Sequence, residues 1–149
     1  MLPSVGLQSL SFNLERYARL SVEDRNAIAA LGAAPLIKTK ARGDLIREGE
    51  EPKIVRLMVS GWAARYKDLP DGRRQIVGFF IPGDFCDLNV YILEKMDHSI
   101  GAISSVSCLA ISPAALDKLT YERPRIAQAL LWHELVNAAT MREWLLNIG

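Results

Sequence analysis

The sequence has few of the residues on which metal and redox chemistry depend: two cysteines and two histidines among 149 residues. An iron–sulfur cluster of the usual kind needs four thiolates, so the cysteine count excludes one. Cys86 and Cys108 lack the close spacing of a zinc site, and nothing resembles the cysteine framework of a small secreted domain. Whether the two form a disulfide is left open, and a reducing cytoplasm is the default compartment. An excess of one charge is missing too. Eighteen basic residues stand against seventeen acidic ones, a formal charge of +1, which gives no electrostatic footprint for nucleic acid. No apolar run approaches the ~20 residues of a membrane span, and Met1-Leu2-Pro3-Ser4 lacks the basic start and apolar stretch of a secretion signal. No nucleophile–base pair and no phosphate-cradling glycine loop is visible. The chain is expected to be neither an enzyme nor a membrane protein, with no cofactor and no metal.

What is there suits one domain with a sizeable core: half of the residues are apolar and the length suffices to bury them. Residues 7–19 read as a short amphipathic helix with Leu10, Leu14 and Tyr17 on one side. A second helix is signalled by Ser21 as its cap with Asp24 three residues on. Gly32 is its expected terminator, and Ile28 and Leu31 its inward face. From Pro35 the period changes to two. Ile37, Thr39 and Ala41 alternate with Lys38 and Lys40, Val55, Leu57 and Val59 with Arg56 and Ser60, and Trp62, Ala64 and Tyr66 with Arg65 and Lys67. Turns at Gly43-Asp44, Gly49-Glu50-Glu51-Pro52 and Gly61 cut this region into the short strands of an antiparallel sandwich or barrel. The Gly-Asp corner recurs at 83–84. It reads as a corner reused in two halves of a roll, not as a repeat.

The stretch 71–112 organises the rest. Asp71-Gly72 is a tight-turn dipeptide, and Pro82-Gly83-Asp84 is a corner with fixed φ at proline and free φ at glycine. Between Asp84 and Ala102 the chain has to dip into the fold and return, which is where a small-molecule pocket belongs. A last strand is expected over Ile103–Ile111. Ser112-Pro113 then opens a helix that buries Leu116 and Leu119. A long helix follows over about 124–146. It carries one stripe of Leu131, Leu135, Ala138, Arg142 and Leu145 and an adjacent one of Trp132, Val136, Ala139 and Leu146. That arc is too wide for one contact. One stripe is expected to dock on the roll and the other to meet a second copy as a coiled-coil-like seam; the alternative is a helix simply buried in its own domain. The expected organisation is a single domain over 1–149: helices over 1–34, a β-roll over 35–112 and C-terminal helices over 113–149.

The motif Gly72-x-x-Gln75-Ile76-Val77-Gly78-Phe79, followed by Gly83-Asp84, together with Gly43-Asp44-Leu45-Ile46, Gly49-Glu50 and Gly61, resembles the sensor domain of the cyclic-AMP receptor protein and fumarate–nitrate regulator (Crp/Fnr) family of bacterial transcription factors. The resemblance covers residues 12–149 and looks more like the redox-regulator branch. It implies a mainly β fold with flanking helices, a jelly-roll-like double-stranded β-helix of the cyclic-nucleotide-binding type. It also implies a homodimer along the long C-terminal helix. In the family a hinge and a winged helix-turn-helix follow that helix and read DNA; this chain does not contain them, and DNA would be met only through such a domain. Gly149 after Trp144-Leu145-Leu146-Asn147-Ile148 resembles the hinge entry, so the chain is expected to be cut from a longer regulator.

In cyclic-nucleotide-binding members of the family, a cassette supplies a glycine, a glutamate for the ribose and, about ten residues on, an arginine for the phosphate; a buried phosphate needs such a charge-assisted donor. On the same positions this chain has Cys86 and Asp87, then Leu88 and Asn89, and at the arginine position Met96, followed by Asp97, His98 and Ser99. Lys95 is the nearest permanent cation, and Asp97 would repel a phosphate. The cassette therefore reads as degenerate, with cyclic AMP not expected and another, unknown small-molecule effector left open. Cys86 reads as a small pocket or core residue, because the neighbouring carboxylate raises a thiol's pKa and works against reactivity. Two other readings remain: a genuine cyclic-nucleotide-binding regulatory domain, and a cupin-like metal-binding protein with the same roll, for which His98 and His133 would have to converge on one ion.

Overall fold

Local capping signals set the helices that flank the roll. The computed structural model describes residues 5–88 and 94–148; Asn89 and Gly149 lie outside them. The first helix, α1 (Val5–Leu14), buries Leu7, Leu10 and Leu14. It stops at Leu14 instead of reaching residue 19, because the amides of Tyr17 and Ala18 both turn back to Leu14 O at 3.0 and 3.2 Å. The next helix, α2 (Val22–Ala30), opens with the expected capping box. The Asp24 amide donates to Ser21 Oγ at 3.0 Å, and the Ser21 amide donates to Asp24 Oδ2 at 2.9 Å, which satisfies two amides a helix start leaves open. Gly32 does not terminate it. Leu31 closes α2, and Gly32 sits within a short 3-10 turn over Leu31–Ala33, where a Cβ would press on the Leu7 side chain at 3.2 Å.

Among the described residues eight strands form two four-stranded antiparallel sheets. One runs in the order β1 (Leu36–Thr39), β8 (Val106–Ile111), β3 (Val55–Ser60), β6 (Phe85–Cys86); the other runs β2 (Asp44–Ile46), β7 (Ser99–Ala102), β4 (Ala63–Asp68), β5 (Arg74–Phe80). This is the jelly-roll architecture expected. Val55, Leu57, Met58, Ala63, Ile100, Val106 and Ile111 are buried in the core. β1 is an edge, and its alternation does not mark a buried face: Leu36 and Ile37 are exposed. The strand expected over Ile103–Ile111 begins later. The amides of Ile103 and Ser104 both bond Trp62 O, and this turn ends β7 in one sheet and starts β8 in the other. The two Gly-Asp corners are also built differently. Gly83 carries the left-handed φ of 95° at the second, whereas at the first it is Arg42, at 70°. At Gly83 a Cβ would lie 2.6 Å from Ser9 Cβ, so the missing side chain is what lets α1 pack on the corner.

Ser112 caps α3 (Pro113–Glu122) by accepting the Ala115 amide at 3.1 Å, with Pro113 in the first turn. Leu116 and Leu119 are buried as expected. The long helix α4 (Pro124–Ile148) seats only Ile126, Ala129 and Leu130 in the core. Beyond them both apolar stripes face outward: Leu131, Leu135 and Leu145 on one, Trp132, Val136 and Leu146 on the other. The Trp132 stripe therefore does not dock on the roll, and the helix is not simply buried in its own domain. Its first turns pack against α1 and α3, and the rest runs past the roll.

Candidate functional site

A cavity of about 330 Å3 opens between α4, the end of α1, strands β4 and β5, and the segment 83–87. Its floor is set by a bulge. In the β4–β5 ladder Arg65 pairs with Gly78 and Tyr66 with Ile76, so Val77 is the extra residue, and bulges re-aim nearby side chains. Arg65 reaches into the cavity wall. A Cβ on Gly78 would touch its guanidinium at 3.7 Å, and the guanidinium carbon lies 5.2 Å from the Phe80 ring centre. Phe79 meets Trp144 of α4 edge to face at 6.3 Å, which gives the cavity an aromatic corner.

The polar side of the site is a chain of charges. Arg65 holds Asp87 through both arms of its guanidinium, Nε to Oδ2 at 3.2 Å and Nη2 to Oδ1. Asp87 is buried and takes a left-handed φ of 57°. His98 Nε2 bonds the same carboxylate, and His98 Nδ1 bonds Asp97. Burial pulls the His98 imidazole pKa down, but the hydrogen bond and charge of Asp87 and the hydrogen bond of Asp97 outweigh it and the net shift is upward. The hydrogen bond to His98 holds Asp97 below the usual carboxylate range. On the other side of the cavity, burial pushes the carboxyls of Asp84 and Glu134 up. Asp84 still accepts the Ile81 amide at 2.9 Å. His133 packs edge-on against Tyr17, with ring centres 5.9 Å apart, and its Nδ1 is buried without a hydrogen-bond partner.

The cassette residues scatter. Asp87 lines the cavity, and His98 and Asp97 connect to it only through Asp87. Ser99 Oγ accepts the Glu48 amide at 2.8 Å. Met96 sits in the core, its amide on Glu50 O and its carbonyl on the Gly49 amide, both at 2.8 Å. Cys86 is buried, with its thiol pKa pushed up by a hydrogen bond with Cys108 and by burial. Both cysteines are free, and β3 separates their strands. Leu88 is partly buried against the core. Of the expected second-copy stripe, Ala138 also lines the cavity, while Arg142 is exposed. The sequence placed Arg65 on an outward face and made Lys95 the nearest cation; Lys95 is exposed and it is Arg65 that meets the cassette. The available signal was a lone arginine between alanines and a tyrosine, in a strand otherwise half buried. Among the described residues no three His, Cys, Asp or Glu side chains gather as a metal site. No helix there is long and apolar enough to cross a membrane.

A roll of two four-stranded sheets closed by a long helix, with a cavity between them, is an architecture this chain shares with known proteins. The family model described as "Cyclic nucleotide-binding domain" matches residues 37–122. The nitrogen fixation regulation protein FixK of Bradyrhizobium diazoefficiens is 37% identical over 73 residues, 49% of this chain and 30% of that protein. A cyclic nucleotide-binding domain from Methylobacillus flagellatus superposes with a TM-score of 0.77 at 14% identity, covering 99% of this chain and 88% of that one. The sensor domain of the transcriptional regulator DNR from Pseudomonas aeruginosa gives 0.69 at 19%, covering 93% and 91%. The chain belongs to the cyclic nucleotide-binding domain family. Those relatives are regulators, not enzymes. The chain spans less than half the length of the curated relatives it matches.

Proposed function

We propose that this chain is the effector-sensing and dimerisation part of a cytoplasmic Crp/Fnr-type transcription regulator that does not respond to cyclic AMP. The observation that carries this reading is the Arg65–Asp87 pair. The cavity's one arginine is already neutralised by a buried carboxylate, and the residue at the family's arginine position, Met96, is in the core. A cyclic phosphate entering here would meet a guanidinium already engaged and the carboxylates of Asp84, Asp87 and Glu134. Burying an anion without a free donor is unfavourable.

The exposed stripe of Leu131, Leu135, Ala138 and Leu145 supports pairing with a second copy along α4, since a single roll leaves it in water. The single domain over 1–149 then works as a unit, and DNA is met through a domain outside it. Calorimetric titration with cyclic AMP and cyclic GMP is the test: no binding at micromolar concentration is expected, and a micromolar dissociation constant overturns the proposal. The competing reading, a true cyclic-nucleotide site, is favoured by one observation, that Arg65 does line the cavity. The same titration decides between them.

A further inference from the structure

Resting on the reading of this cavity as the effector site, we infer that it takes a small organic cation: an amidinium or ammonium group on a planar apolar body. The charge count inside the cavity is the first reason. Asp84, Asp87 and Glu134 line it against Arg65, and Arg65 is spent on Asp87 through a two-armed bond. Asp84 and Glu134 are left as the carboxylates lining the space that form no ion pair among the described residues. A desolvated carboxylate gains most from a cation that brings its own hydrogen-bond donors.

The second reason is independent of the carboxylates. His133 Nδ1 is buried and unpartnered in the same wall, and a buried polar atom left without a hydrogen bond is costly. His133 and Glu134 both line the cavity, and a turn of the His133 ring would let a donor seated there supply that bond. The third reason is shape. Val77, Phe79 and Trp144 give the cavity an apolar, aromatic lining, and a ring seated against it can present a charged end to Glu134. A positive end beside aromatic faces is favourable as well. The volume of about 330 Å3 is at the small end for ligand sites, which suits one ring and a short polar head.

Burial raises the carboxyl pKa of Glu134 with help from the charges of Asp87 and Asp84, opposed by His133 and Arg65. These are the groups that face it: His133 from its own helix, Arg65 from β4, Asp84 and Asp87 from either side of β6. A cation stabilises the ionised form, so binding releases protons and tightens as pH rises through the Glu134 titration.

Benzamidinium, benzamide and benzoate share a planar ring and differ in charge, and titrating the full chain with each, by calorimetry or tryptophan fluorescence, reads the inference directly. The expected result is saturable binding of benzamidinium, preferred at least about tenfold over benzamide, with none of benzoate; tenfold is one decade in Kd. Glu134→Gln, on a half-exposed helix face, should bring the preference below about twofold, a small residue of one decade, with the melting curve retained. If benzoate binds as well as benzamidinium, if the preference survives Glu134→Gln, or if benzamidinium does not saturate at millimolar concentration, the inference is overturned. The sensor proposal fails on a different readout, micromolar cyclic-nucleotide binding, so the two failures are distinguishable.

Discussion

Arg65 on β4 and Asp87 just beyond β6, 22 positions apart, are joined through both Nε and Nη2 of the guanidinium while Asp87 also bonds His98. A left-handed φ of 57° on a non-glycine residue is sterically unfavourable. It is held here by partners on two sides. The carboxylate occupies the cation of the cavity in the manner of a built-in counter-anion.

Asp87→Asn keeps the side-chain shape and tolerates the left-handed backbone, and it removes the charge while turning one of the two oxygens that accept from Arg65 and His98 into a donor. Losing one member of a buried ion pair costs about 3 kcal/mol at the lower end of the known range, which suits a partner that is partly exposed; thermal unfolding measures it. The freed guanidinium should also acquire anion affinity, so phosphate or cyclic AMP, inert towards the parent, should now raise the melting temperature. A variant that melts like the parent and ignores both anions would show that Asp87 does not neutralise Arg65.

Stability should fall as pH rises through neutrality. The folded-state pKa of His98 is raised, so its contribution is fully present below the unfolded value near 6.5 and is lost as pH rises through the folded one. Asp97 acts at the acid end. Its folded pKa is lowered, so its contribution is present above an unfolded value near 3.9 and lost as pH falls through the folded one. Denaturant midpoints across this range measure both limbs. His98→Gln should flatten the limb near neutrality, and an unchanged slope would assign that limb to other groups.

Met96→Arg tests where the cassette points. A position facing the ligand would accept the arginine and gain phosphate affinity. Because Met96 is 2% exposed with its backbone locked to Gly49 and Glu50, the variant should instead unfold the chain or cost several kcal/mol, the penalty for an unpaired buried charge. Chemical denaturation distinguishes the two.

Leu135→Glu should weaken self-association. Leu135 is 52% exposed in the single chain, so monomer stability should change little, within about 0.5 kcal/mol, while like charges brought together across a seam oppose pairing. Sedimentation or light scattering of parent and variant at matched concentration reads the difference; a parent that is monomeric at tens of micromolar contradicts pairing through α4.

Much of the fold was legible because its signals are local. Ser21 with Asp24 and Ser112 with Pro113 announce their helices through caps, and Gly61, Gly72 and Gly83 mark turns that require positive φ. What was not legible depends on contacts distant in sequence. β1 alternates like a buried strand but lies at an edge, and β7 hides within a stretch that reads as loop before an apparent single strand. The site was less legible still. The cassette positions gave Asp87 but could not give Arg65, whose direction is set by a bulge at Val77 that leaves no mark on the period. Spacing alone puts Met96 at a ligand-facing position, because it does not say which way a side chain turns in an irregular segment.

Core burial of α4 is confined to its first turns, at Ile126, Ala129 and Leu130, and beyond them the helix meets the roll only across the cavity, which Glu134 lines and where Trp144 packs on Phe79. The helix is therefore a lever with its fulcrum near Ala129. At a rise of 1.5 Å per residue, Glu134 lies about 7 Å from that fulcrum and Ile148 about 28 Å. A cavity that swells or contracts by about 1 Å at Glu134 swings the far end of a rigid helix by about 4 Å, a displacement comparable with the rise of a helical turn. The roll does not have to change shape for this to happen: the gearing is in the length of helix left over after its anchor.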